Sequence, residues 1–219
     1  MILHTRARRL LNGPGIFSGL SEPVLKAKAT RSTNRDPSLR LFISRREPGL
    51  SKPNAAGIFL SPVSLGVNCS SVAIGDFNAD GRLDLVATSP NAGNVSILLQ
   101  STIGSGNFLS PLTVVAGFQP IDVAVADLNS DGLPDLAIAN SGTPGNAGSV
   151  SILFQNPGGV GTFLPAVNQT GATQPLGVTI ADLNGDSFSD IAVADSGVRV
   201  LFQIPGQPGT FRSPLLVGG

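Results

Sequence analysis

Residues 127–140 read DLNSDGLPDLAIAN, and two chemistries meet inside that stretch. From Asp127 to Asp135 three aspartates and an asparagine fall on odd positions of a nine-residue run; from Leu136 onward the chain turns apolar. Like charges this close repel unless water screens them or a cation sits between them. A solvated turn between strands would account for a single copy. The run recurs, however. DFNADGRLD from Asp76, DLNSDGLPD from Asp127 and DLNGDSFSD from Asp182 all fit DxNxDxxxD, and repetition favours the cation.

The distribution of acid points the same way. The formal charge is zero, with 14 Lys and Arg against 14 Asp and Glu. Eleven of those bases lie in residues 1–55, whereas beyond residue 56 there are eleven acids, all Asp, nine of them in the three loops. Only Asp122 and Asp195 fall outside the loops. A surface built for solubility disperses its charges; this one concentrates them. Ca²⁺ takes six to eight oxygen ligands, whereas Mg²⁺ demands a rigid octahedron and keeps its waters, so Ca²⁺ is the expected cofactor. In the second loop Asp127, Asn129, Asp131 and Asp135 offer side-chain oxygens at positions 1, 3, 5 and 9, and the Leu133 carbonyl offers a fifth. Gly132 at position 6 permits a positive φ where the loop folds back.

These loops are not EF-hands. That motif needs a bidentate Glu at position 12 and helices on both sides, but position 12 here is Ala87, Ile138 and Val193. The flanks SVAIGD, DVAVAD and GVTIAD before the loops, and DLVAT, DLAIA and DIAVA after them, have strand character. Each loop joins two strands. The 27 Gly and 17 Pro among 219 residues, with no Trp or Tyr, fit many short strands and tight turns. No apolar run is long enough to span a bilayer as a helix, and the single Cys69 rules out an internal disulfide framework.

Residues 1–38 are basic, contain Ser and Pro, and show neither helical nor strand periodicity, so they are expected to be a disordered basic segment. No signal peptide is seen in them. A nucleic-acid partner is not expected.

From residue 57 the chain repeats. The markers GIFLSP at Gly57, GNFLSP at Gly106, GTFLP at Gly161 and GTFRSP at Gly209 delimit units 57–105, 106–160 and 161–208, and a further unit begins at 209. Each unit holds a first strand, an acidic loop, a second strand, a turn and a third strand written NVSILLQ, SVSILFQ or GVRVLFQ; a fourth strand starts at the marker. The first strands are nearly free of charge on both faces, with small residues on one, which suits sheets stacked on one another. Four-stranded sheets repeated about an axis make a β-propeller. The expected fold is therefore all-β, a partial β-propeller of about three four-stranded blades.

DFNADGRLDLV, DLNSDGLPDLAIAN with VSILFQ, and the GTF markers resemble FG-GAP/VCBS repeats, the blades of integrin-α-type propellers. The resemblance covers residues 57–219. It implies Ca²⁺ held between the first two strands of each blade, in proteins commonly secreted or on the cell surface. Carried over by position, the ligands are Asp76, Asn78, Asp80, the Arg82 carbonyl and Asp84; Asp127, Asn129, Asp131, the Leu133 carbonyl and Asp135; and Asp182, Asn184, Asp186, the Phe188 carbonyl and Asp190. The third loop departs from the others in having Ser187 where they have Gly, and is expected to bind most weakly. LRLFIS from Leu39 aligns with VRVLFQ from Val198, so residues 39–56 are read as the tail of an earlier blade.

Three functions fit. The first is a calcium-binding structural or interaction module, adhesion-like, whose partner is a protein or glycan. The second is a lectin-like propeller, although Phe108, Phe163 and Phe211 at the markers suit a core better than a sugar platform. The third, an accessory part of a secreted enzyme, fits least well. His4 is the only histidine, and no Glu follows Glu47, so the chain itself is not expected to be an enzyme. Three blades do not surround an axis, since rings need about four to eight. Self-association or further blades are expected to complete it.

Overall fold

The structure, a computed structural model, describes residues 67–102 and 107–217, together with one short strand pair nearer the N-terminus. That pair, β1 (Ala29–Thr30) and β2 (Arg40–Leu41), is antiparallel and belongs to the unit Met1–Gly66. Apart from it, the expectations for residues 1–38 and 39–56 lie outside the described residues. The second unit, Val67–Gly219, carries everything that follows.

In that unit twelve strands form three four-stranded antiparallel meanders, with no helix among the described residues. Blade I holds β3 (Val72–Gly75), β4 (Asp84–Ser89), β5 (Asn94–Leu98) and β6 (Leu112–Val115). Blade II holds β7 (Pro120–Ala126), β8 (Asp135–Asn140), β9 (Ser149–Leu153) and β10 (Val167–Gln169). Blade III holds β11 (Gly177–Ala181), β12 (Asp190–Ala194), β13 (Val198–Leu201) and β14 (Leu215–Val217). Each outer strand follows a Gly-x-Phe marker, so a sheet straddles the marker-to-marker frame by one strand.

The register is the same in every blade. Position 12 of each loop pairs with the residue four before its first aspartate: Ala87 with Val72, Ile138 with Val123, Val193 with Val178. A residue committed to that ladder is part of the sheet, which is why an EF-hand loop does not fit here. Position 9 opens the second strand, with Asp84 opposite Gly75, Asp135 opposite Ala126 and Asp190 opposite Ala181.

Stacking buries both faces of the middle sheet. Val86, Val95 and Ile97 of blade I meet Val123, Leu136, Ile138 and Leu153 of blade II in one core. Ala137, Val150 and Ile152 on the other face of blade II meet Ile191, Val193 and Leu201 of blade III in the second. Ala137 and Ala139 leave room for the bulkier residues opposite. Burying each large aliphatic side chain stabilises by roughly 1.5–3 kcal/mol. The inner strands β3, β7 and β11 lie beside one another, as strands lining a common axis do.

Candidate metal centre

Three loops, 76–84, 127–135 and 182–190, hang from the same end of the three sheets, each between the first and second strand of its blade. Their aspartates divide into two kinds. At position 9, Asp84, Asp135 and Asp190 are fully buried. Each accepts two backbone N–H bonds, one from position 2 of its own loop and one from the Gln that follows its third strand. For Asp84 the donors are Phe77 at 2.9 Å and Gln100 at 2.7 Å. For Asp135 they are Leu128 at 2.9 Å and Gln155 at 2.8 Å. For Asp190 they are Leu183 at 3.0 Å and Gln203 at 2.9 Å. This carboxylate ties the loop to the sheet. Burial raises the pKa of Asp84 and pushes Asp135 up to about 6, with the neighbouring acids adding to both, against the two N–H bonds each accepts.

Positions 1, 3 and 5 form the mouth. Asp127 accepts the N–H groups of Ser130 (2.6 Å) and Gly132 (2.9 Å), and Asp182 those of Gly185 (2.7 Å) and Ser187 (2.9 Å). Asp76 accepts from Asp80 at 3.1 Å and Gly81 at 2.8 Å. In all three loops the asparagine amide donates to the aspartate at position 5, as Asn78 to Asp80, Asn129 to Asp131 and Asn184 to Asp186. That aspartate accepts the N–H of position 7, from Arg82, Leu133 and Phe188. The residues expected to supply the fifth, carbonyl oxygen are thus placed by the acid at position 5. Hydrogen bonds, led by that from the Ser187 N–H, hold Asp182 below the usual carboxylate range. The first loop has a cation of its own, because Arg82 Nη2 lies 2.7 Å from Asp80. Burial pushes Asp80 up, yet the hydrogen bonds and charge of Arg82, with the Asn78 amide, bring it below its ordinary value.

Among the described residues no three acidic, His or Cys side chains converge as a ready-made cage. The carboxylates spread instead over N–H donors, the arrangement that repelling like charges reach on their own. The donor set still fits a hard cation, since each loop presents three carboxylates and an amide oxygen, without nitrogen or sulfur ligands. Gln155, 4% exposed, lies behind the first loop, where its Nε2 donates to the Phe77 carbonyl.

The expected weakness of the third loop is not in its backbone. Ser187 does take a positive φ of 72°, as Gly81 and Gly132 do at 79° and 83°. Position 4 is left-handed as well, however, and there the first two loops have Ala79 and Ser130 at 56° and 64° while the third has Gly185 at 80°. Each loop therefore has one glycine and one non-glycine in the left-handed region. The third exchanges the two positions without adding strain.

Two residues outside the loops, Gln155 and Gln203, bear on the site and were not singled out from the sequence, while Asp122 and Asp195, the two acids outside the loops, sit at the other end of the blades. Gln155 Nε2 donates to the Phe77 carbonyl of blade I at 2.9 Å, and Gln203 Nε2 donates to the Leu128 carbonyl of blade II at 2.5 Å. The signal existed, because each third strand ends in Gln, but strand periodicity says nothing about the neighbouring sheet. Asp122, left uncommitted by the sequence, accepts from Ser71 Oγ at 2.6 Å and from the Val178 N–H at 3.0 Å, linking the approach to β3 with β11. Asp195 accepts from Thr173, Gln174 and Arg199 Nε. At the markers, Phe163 packs edge-on against Phe77 with centroids 5.9 Å apart, and Phe211 is 8% exposed in the second core.

Comparison with known proteins follows the same period. The profile of the FG-GAP-like repeat matches residues 76–138 and 127–193, each match running from position 1 of one loop to position 12 of the next. Integrin alpha-V of Gallus gallus is 32% identical over 203 residues, covering 85% of this chain and 19% of that protein. Integrin alpha-8 of Gallus gallus is 27% identical over 207 residues, covering 84% and 18%. Integrin alpha-5 of Xenopus laevis is 31% identical over 162 residues, covering 64% and 15%. The chain spans about a fifth of the length of these relatives. Because one acidic loop, one four-stranded sheet and one Gly-x-Phe marker recur together over more than half of its length, the chain belongs to the FG-GAP-like repeat family.

Proposed function

We propose that this chain is a calcium-binding β-propeller module that acts outside the cell as an adhesion-like interaction domain. The observation that carries the calcium reading is threefold repetition. Three loops of one donor pattern, each closed by a buried aspartate, place nine carboxylates at one end of the sheets. Asp76, Asn78, Asp80, Asp84 and the Arg82 carbonyl would hold the first ion. Asp127, Asn129, Asp131, Asp135 and the Leu133 carbonyl would hold the second, and Asp182, Asn184, Asp186, Asp190 and the Phe188 carbonyl the third. A bound ion would neutralise the loop charge and stiffen the end of each blade.

The interaction surface is assigned to the opposite end, where the second and third strands turn. There the 141–147 segment of blade II and Thr173–Gln174 line an open groove of about 660 Å³, with Ser141, Thr143, Asn146 and Gln174 offering hydroxyl and amide groups. No aromatic ring lines it, which favours a polar peptide over a stacked sugar. Val198, Leu215 and Val217 on the outer part of blade III are about half-exposed, and a further blade or a second copy would cover them.

Calorimetric titration of the EDTA-treated chain with calcium chloride tests the reading. Uptake of three ions with a rise in melting temperature is expected. A melting curve indifferent to EDTA and to millimolar calcium, with no heat of binding, would reject it.

A further inference from the structure

The three loops are joined by one continuous line of hydrogen bonds. Asp84 accepts from the Phe77 N–H (2.9 Å), and the Phe77 carbonyl accepts from Gln155 Nε2 (2.9 Å). The Gln155 N–H donates to Asp135 (2.8 Å), which accepts from the Leu128 N–H (2.9 Å). The Leu128 carbonyl accepts from Gln203 Nε2, the Gln203 N–H donates to Asp190 (2.9 Å), and Asp190 accepts from the Leu183 N–H (3.0 Å). Every residue on the line from Phe77 to Asp190 is at most 4% exposed. Water therefore cannot stand in for a member that moves, and an unmet group there costs its full desolvation penalty.

We propose that Gln155 and Gln203 are positioning residues that couple cation binding in neighbouring loops, so that an ion in one loop raises the affinity of the next. This rests on the calcium reading above. Each loop supplies the bistable element that coupling requires. With its charges unneutralised a loop is strained by repulsion, and that strain bears on the position-2 residue at its base. With an ion bound, that residue is pinned. Phe77 pinned in blade I holds the Gln155 side chain, and Gln155 holds through its own backbone the buried aspartate that closes the second loop. Gln203 repeats the step from the second loop to the third. The glutamine is suited to this because its side chain serves one blade while its main chain serves another. Gly161 adds a parallel contact, its N–H donating to the same Phe77 carbonyl at 2.9 Å, and thus seats the marker of blade II on the first loop.

A thermodynamic cycle on the full chain tests the coupling. Asp76→Ala disables the first loop without touching the line, and calcium affinity at the second loop is measured by calorimetry with and without Gln155→Met, which keeps the side chain's length and removes its donor. In the otherwise wild-type chain, Asp76→Ala should weaken the second site about fivefold or more. In the Gln155→Met background it should leave that site unchanged. The same penalty in both backgrounds, or none in either, overturns the proposal; a wild-type chain that takes up no calcium overturns the calcium reading itself. A second readout needs no ion. In EDTA, Gln155→Met should speed amide hydrogen exchange at both Phe77 and Leu128, on opposite sides of the substitution, and Gln203→Met should do so at Leu128 and Leu183. Unchanged exchange at the far amide in both variants would reduce the glutamines to local packing.

Discussion

The second and third acidic loops share a hydrogen-bond diagram and differ in what stands beside them. In both, the first aspartate gathers the N–H groups of the turn, the asparagine amide bridges to position 5, and a buried aspartate accepts from position 2 and from the Gln after the third strand. The surroundings diverge at position 2. Leu128 is 1% exposed beneath blade III, whereas Leu183 is 48% exposed. The sheets show the same contrast, since Val150 on the covered face of blade II is fully buried while its counterpart Val198 is half-exposed. A loop's internal geometry and its anchorage are therefore local, and its burial comes from the neighbouring blade.

The widest separation between the two should come from the buried aspartates. Asp135→Ala leaves the Leu128 and Gln155 N–H groups unmet in a dry interior, at about 1–3 kcal/mol each. Asp190→Ala leaves one of its two donors on the exposed Leu183, where water can replace the carboxylate, so roughly half the loss is expected. Urea unfolding in EDTA measures both. Equal losses would mean that coverage by the next blade does not matter.

Calcium should act alike on the two loops. An ion at a hundredfold excess over its Kd adds about 2.7 kcal/mol per site, and both loops present the same donors. Asp127→Ala and Asp182→Ala should each lower the calorimetric stoichiometry by one ion; if neither does, the assignment of position 1 as a ligand fails.

Smaller effects are expected of the backbone. Ser130→Gly and Ser187→Gly each relieve one left-handed non-glycine residue, for a gain of about 0.5–1 kcal/mol. The two gains should be similar although the residues occupy different positions of their loops. A large gain for Ser187→Gly alone would restore the idea that the third loop carries the greater strain.

The smallest effect distinguishes blade III by pH. Burial raises Asp195, but the bonds from Thr173, Gln174 and Arg199 outweigh it and hold the carboxyl well below its ordinary range. A carboxylate with a depressed folded pKa stabilises above its unfolded pKa of about 3.9 and loses that contribution as pH falls through the folded value. The melting temperature of the wild type should exceed that of Asp195→Asn at neutral pH, with the gap closing below about pH 4. A gap that does not change with pH would assign the effect to packing.

Much of this protein was legible from its residues alone, because the informative interactions are short-range. DxNxDxxxD followed by period-two apolar residues encodes a loop whose first three acidic and amide side chains bond to N–H groups within five residues, entering a strand whose ladder starts at the last aspartate. The three loops, their strand flanks and the four-stranded unit all follow. Ser187 illustrates the limit even within a loop: its substitution for glycine is visible, but its compensation by Gly185 depends on the φ at two positions together. The partners of Gln155, Gln203 and Asp122 lie 78, 75 and 51 to 56 residues away in the chain. No local pattern specifies which carbonyl a glutamine meets when two sheets stack, since that depends on the offset between blades. Sequence determined what each blade is and where its acid sits; only the packing of one sheet on the next decided which loops are covered and through which residues they are joined.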